Sequence, residues 1–309
     1  MSSLLRRLPL VAVPLAVLLT AGCSSSSSTA GSSASASAPA GAVVVVASTN
    51  VWGDVVQQVG GDLVDVTSLM TDPNADPHSF EANAQSQLAV SKASLVVENG
   101  GGYDDYMDTM LSSLSSKPAV INAVDVSGKT APAGGELNEH VWYDFATVTK
   151  VADTIATQLS TVDPSHADTY AANAKTFDAK VATLTQSTAD LKTTVAGKGV
   201  AITEPVPGYL LGNLGLVNKT PAEFSEAIEN ETDVPATVLS DTLALFSSHE
   251  VAALVYNEQT TGPQTEQVLA AAKAAGVAVV PVTETLPAGK DYITWMTANL
   301  DALRTALTA

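Results

Sequence analysis

The sequence contains a single cysteine, Cys23, so no disulfide can close within the chain and the folded part must be held by its core. Basic residues are scarce, with 14 Lys and Arg against 32 Asp and Glu. That balance argues against nucleic acid and anionic lipid surfaces as partners. No GxSxG, no Cys–His pair and no P-loop occurs, which removes the common nucleophile and phosphate-cradle signatures. Gly100–Gly102 form a turn with no Lys or Ser after them to hold phosphate, and LGNLGL (211–216) reads as a turn. Only four histidines are present, so the placement of each carries weight.

The chain opens MSSLLRRLPLVAVPLAVLLTAGC. Arg6 and Arg7 precede the apolar residues 8–19, and Thr20, Ala21 and Gly22 follow at once. The apolar run is too short for a comfortable bilayer span, so it reads as an export signal over 1–22. Cleavage before Cys23 would leave that cysteine as the acylated residue of a bacterial lipoprotein. Residues 23–42 are nearly all Ser, Ala and Gly after Cys23 and read as a flexible tether. The rest of the chain is then expected on the extracytoplasmic face of the cell membrane. Firm retention there requires more than one acyl chain. Without residues 1–22 the balance is 12 basic against 32 acidic residues, or −20, which favours the approach of cations.

Strand-like runs recur at 43–48 (VVVVAS), 63–69, 94–99, 119–124, 198–203, 251–256 and 276–282, with helical patterns such as 51–60 and 265–276 between them. This alternation predicts an α/β fold with mainly parallel sheets. From Pro164 to Val195 the rhythm breaks. Tyr170, Ala174, Phe177, Val181, Leu184, Thr188, Leu191 and Val195 recur at spacings of four and three, uninterrupted by Gly or Pro. The spacing predicts one helix of about 30 residues, on the order of 45 Å long. The expected organisation is an N-terminal lobe over 43–162, a long rigid linking helix over 163–195, and a C-terminal lobe over 196–309.

Open α/β sheets bind ligands at the carboxyl ends of their strands. His78 stands there, after the strand ending near Leu69, on a loop (TDPNADPHSF) stiffened by Pro73 and Pro77. Glu204 follows the 198–203 strand and Glu284 follows the 276–282 strand. His140 precedes an amphipathic helix carrying Val148, Val151, Ile155 and Leu159. Two imidazoles and two carboxylates make a set of borderline softness, suited to Mn, Fe or Zn. Each has an ordinary alternative, a surface histidine or a solvated glutamate. His166 reads as a surface residue of the long helix's first turn, and His249 opens HEVAA, which lacks the second histidine of HExxH.

The opening VVVVASTNVWGDVVQQVGGDLVDVTSLMTDPNADPHSFE and the stretches VVENGGGYDDYM, HVWYD, VDPSHADTYAANAKTF and YITWMTANLDAL carry a likeness that covers nearly all of 43–303. The chain resembles the metal-specific solute-binding proteins of bacterial ABC importers, whose fold is a helical-backbone metal receptor. The resemblance implies metal ligands at His78, His140, Glu204 and Glu284. His140, Trp142 and Asp144 match the second-histidine motif, although its flanks here are Asn138-Glu139 and Asp144-Phe145. Many zinc members have a third histidine where this chain has Glu204, and a His-rich loop where SGKTAPAGGELNE (127–139) has none. These departures lean toward manganese.

The expected function is therefore a lipid-anchored, monomeric receptor. It would hold one Mn, Zn or Fe ion between two lobes, close around it, and deliver it to an ABC importer permease. Two alternatives stay open: a metalloenzyme with an open coordination position, and a surface adhesion or interaction lipoprotein with a structural metal. Unperturbed imidazoles titrate near 6.5 and glutamates near 4.3, so affinity would fall below about pH 6 through the histidines alone.

Overall fold

Four consecutive valines begin β1 (Val43–Thr49), and β-branched residues are the ones best suited to a pleated, buried strand. The structure, a computed structural model, describes residues 41–72 and 80–308. Its first half continues through α1 (Asn50–Gly60), β2 (Val64–Met70), α2 (Ala84–Lys92), β3 (Leu95–Glu98), α3 (Asp105–Ser112), β4 (Ala119–Asn122), α4 (Ala123–Ser127) and α5 (Phe145–Val162). After α6 (Ala167–Val195), the second half runs through β5 (Gly199–Ile202), α7 (Gly208–Asn213), β6 (Val217–Asn218), α8 (Ala222–Glu229) and α9 (Ala236–Ser247). It closes with β7 (Ala253–Asn257), α10 (Pro263–Ala274), β8 (Ala278–Val282) and α11 (Tyr292–Thr308).

The strands form two four-stranded parallel sheets of the same order, β2-β1-β3-β4 and β6-β5-β7-β8. The central strands β1, β3 and β7 are almost wholly buried because helices cover both faces, whereas the edge strand β2 alternates. Strand order reverses between β1 and β3, and again between β5 and β7. Each reversal opens a crevice at the carboxyl ends of the strands.

Helix α6 has 29 residues and buries the eight side chains that the spacing singled out, from Tyr170 to Val195. It packs on α1 and α5 from the first half and on α11 from the second, and so joins the two lobes. The helix proper begins at Ala167 rather than Pro164. Residues Pro164–His166 form a 3₁₀ turn, in which Asp163 accepts hydrogen bonds from Ser165 Oγ and from the His166 backbone N–H. The stretch read as a turn at 211–216 starts as helix instead. Leu210, Leu211 and Leu214 bury one face of α7, and only Leu214–Gly215 turn, with Gly215 at φ +69°. The two-residue edge strand β6 carried no sequence pattern.

A continuous apolar cluster extends from Val43 to Leu307 and draws on both sheets together with α1, α5, α6 and α11. Trp52, Trp142, Tyr143, Tyr170, Phe177, Tyr292 and Trp295 are fully buried in it. Tyr292 Oη donates to Trp142 O at 2.6 Å and Tyr143 Oη to Thr283 O at 2.7 Å, tying the halves through buried aromatics. Asn50 and Leu286 exchange a reciprocal pair of hydrogen bonds at 2.9 and 3.1 Å. Satellite cores lie on the outer faces, around Val96 and Met107 in one lobe and Phe224 and Leu254 in the other.

Candidate metal centre

The C-lobe half of the site sits at the reversal of strand order between β5 and β7. Thr203 and Glu204 follow β5, and Asn257 ends β7, with its backbone N–H donating to Thr203 Oγ1 at 3.0 Å. One side-chain amide then serves two carboxylates: Asn257 Nδ2 donates to Glu204 Oε2 at 2.7 Å and to Glu284 Oε1 at 2.8 Å. Gln259 fixes both the bridge and the strand end. Its backbone N–H donates to Asn257 Oδ1 at 3.1 Å, and its Oε1 accepts from the N–H groups of Glu284 and Thr285 at 2.6 and 3.1 Å. Glu204 and Glu284 are 1% and 0% exposed, so these bonds replace only part of the hydration that burial removes.

From the other lobe comes His140, itself 0% exposed. Its Nδ1 lies 2.9 Å from Asn138 Oδ1, which makes Nδ1 the protonated nitrogen and leaves Nε2 to face the cleft. Asn138 is held in turn, because Oδ1 also accepts from His140 N while Nδ2 donates to Pro205 O at 2.9 Å. The residue that departs from the family flank is thus the one that orients the imidazole, as the outer partner of a metal-ligating histidine does. His140 Nε2 lies 3.7 Å from Glu284 Oε2 and 3.5 Å from Glu229 Oε1. Tyr103 and Trp142 pack edge-on against the ring, and Tyr103 Oη donates to Glu284 Oε2 at 3.1 Å. The Gly100–Gly102 turn presents Tyr103. Gly100 lies at φ +75°, where a Cβ would meet the Asn122 amide at 2.1–2.4 Å, so the glycine there has a steric reason.

Three of the four expected ligands therefore converge: His140, Glu204 and Glu284. His78 lies outside the described residues, as do Cys23 and the export segment. His166 Nδ1 is bound to Asp163 Oδ2 at 2.5 Å on the surface, as expected, and His249, whose HExxH match is incomplete, is exposed. Glu229, the last residue of α8, was not anticipated. In AEFSEAIEN it reads as a solvated helix position, and no local pattern marks it. Asn257, Gln259, Asn138 and Tyr103 were also missed, although Asn257 stands at a strand's carboxyl end.

Charge is concentrated here. Burial pushes the Glu204 carboxyl up to about 8, aided by the neighbouring charges of Glu284 and Glu229. Burial alone would pull the His140 imidazole down, but Glu229, Glu284 and Glu139 outweigh it and hold it at about 9. Both groups are protonated near neutrality, which corrects the expectation that unperturbed histidines alone govern the response to acid. Among the described residues, His140 Nε2 and Glu204 Oε1 are buried without a hydrogen-bond partner. A cavity of about 700 Å³ opens beside them, lined by Gly101, Glu136, Glu139, Tyr209, Glu226 and Glu229. An imidazole whose Nε2 faces the cleft, clustered buried carboxylates and an acidic approach can hold a cation once His140 and Glu204 release their protons. Nothing among the described residues of the site resembles an activated nucleophile.

A sequence profile for the family described as "ZnuA: Zinc-uptake complex component A periplasmic" matches residues 45–306. The manganese-binding lipoprotein MntA of Bacillus subtilis (strain 168) is 31% identical over 138 residues, which is 43% of this chain and 44% of that protein. The match thus spans less than half the length of that relative. MntA of Halalkalibacterium halodurans is 24% identical over 214 residues, covering 64% of this chain and 71% of that one. The periplasmic zinc-binding protein TroA from Treponema pallidum shares the fold, with a TM-score of 0.74 at 19% identity over 86% of this chain and 99% of that chain. A match running from β1 into α11 places the chain in the ZnuA family of uptake-complex components, which are binding proteins and not enzymes.

Proposed function

We propose that this chain is an extracytoplasmic receptor for a divalent transition metal, Mn or Zn with Fe a further candidate, which it hands to an ABC importer permease. The lobe over 43–162 supplies His140 and His78, and the lobe over 196–309 supplies Glu204 and Glu284. The observation that carries this reading is the facing of His140 Nε2, buried and without a hydrogen bond among the described residues, toward carboxylates of the opposite lobe. Acylation of Cys23 and the tether to about residue 42 would hold the receptor, a monomer, at the membrane. No helix among the described residues is long and apolar enough to cross it. The names of relatives support both manganese and zinc as cargo chemistry. The test is metal analysis of protein purified without added metal, followed by Mn/Zn competition on the wild type and on His140→Ala. One divalent ion per chain that is lost in the variant is the expected result. Binding unchanged by His140→Ala would place the cargo elsewhere.

A further inference from the structure

We propose that the Glu229 carboxylate is a further ligand to the cargo cation, and that this third carboxylate makes the site prefer Mn over Zn. The proposal rests on the metal-receptor reading and adds a residue to it. Two donor atoms bound to one ion at about 2.0–2.2 Å stand about 3–3.6 Å apart. Glu229 Oε1 is 3.5 Å from His140 Nε2, the same nitrogen that faces Glu284 Oε2 at 3.7 Å. Donor atoms of Glu139, His140 and Glu229 also lie within 4.8 Å of one another, with Glu139 at the more accessible rim.

Glu229 is the last residue of α8, where the helix dipole disfavours a carboxylate. Its side chain is only 9% exposed and shares the crevice with Glu204 and Glu284. It faces the buried His140 ring nitrogen across the crevice. Two independent groups also aim into this space: His140 Nε2 and Glu204 Oε1, both buried without hydrogen bonds among the described residues. The end of α8 is fixed as well, since Asn230 Nδ2 donates to Glu226 O at 2.9 Å and to Glu136 Oε2 at 3.4 Å. Zinc is satisfied by four ligands, whereas manganese takes more oxygens in a larger shell. An added carboxylate therefore benefits Mn more.

The test uses the full chain, purified in detergent and stripped of metal, with Mn and Zn each titrated against a competing chelator. Glu229→Gln preserves shape and is compared with wild type and with His140→Ala, and melting without metal checks the fold of each variant. The expected result is a 10- to 100-fold loss of Mn affinity in Glu229→Gln with a several-fold smaller loss for Zn. Unchanged affinity for both metals in Glu229→Gln, while His140→Ala loses both, would overturn the proposal and leave the receptor reading standing. An equal loss of both metals with intact melting would overturn the assigned preference. Unchanged affinity in both variants would overturn the receptor reading itself.

Discussion

Metal binding should expel about two protons at pH 7, and the number follows from the two shifted groups. His140, held at about 9, is about 99% protonated at that pH, and Glu204, held at about 8, is about 90% protonated. Both must be bare to ligate, so loading would release about 1.9 protons from this pair. With ordinary values of 6.5 and 4.5, the same pair would release only about 0.2. At about 1.4 kcal/mol per pH unit, deprotonation at pH 7 costs on the order of 4 kcal/mol of binding energy. Apparent affinity should therefore rise nearly 100-fold between pH 6 and pH 7, and by about tenfold or more again up to pH 8. Calorimetry in buffers of different ionisation enthalpy counts the protons directly, and Glu204→Gln should lower the count by about one. A wild-type count near 0.2 would refute the reasoning. The same shifts act on stability with a definite sign. Each group's folded value is raised, so its contribution is full below 4.5 for Glu204 and 6.5 for His140, and is lost as pH rises through about 8 and 9. Metal-free protein should melt lower at pH 9 than at pH 6, and the gap to metal-loaded protein should widen over that window.

His166→Ala and His249→Ala should leave metal affinity within about twofold by calorimetry, whereas His140→Ala loses orders of magnitude; equal loss in all three would break the site assignment. Cys23→Ala should keep metal binding and move the protein out of the membrane fraction, and a variant still sedimenting with membranes would show that residues 8–19 remain as the anchor. Phe177→Ala removes a fully buried ring of α6 and should cost about 3–5 kcal/mol in denaturant unfolding. Asn257→Ala removes the amide shared by Glu204 and Glu284; metal-free melting should fall by several degrees, while loaded protein, whose carboxylates face a cation, should fall less.

Periodicity made the frame legible. Valine-rich runs bounded by polar turns gave seven of the eight strands among the described residues, and the α6 stripe gave the long helix that joins the lobes. Three of the four candidate positions, His140, Glu204 and Glu284, meet in one crevice, and for the two glutamates the signal was that strand ends are where an open sheet leaves space. Glu229 was not legible, since its role depends on where α8 ends relative to His140, about ninety residues away in sequence. The shift of Glu204 to about 8 was equally hidden, because burial and neighbouring charge are properties of the assembled crevice. Asn138 shows the converse: a departure from the family's flanking pattern became a hydrogen bond that performs the orienting task by other means.

The apolar cluster shared by both sheets limits what kind of signal the proposed receptor could send. A receptor with two separate cores reports its load as a change in the angle between them. Here Trp142 and Tyr143 lie in the same core as Tyr292 and Trp295. Prising even these four side chains into water would cost on the order of 8 kcal/mol at about 2 kcal/mol each. Thermal motion will not supply that, so a permease partner of the kind proposed would distinguish full from empty at the rim. There, loss of the protons on His140 and Glu204 and gain of an ion change the charge and order of the acidic mouth around Glu136, Glu139 and Glu226. Fluorophores placed far out on the two lobes should register little on loading. The indole of Trp142, 5.1 Å from the His140 ring, is an intrinsic probe at the point where the message is written.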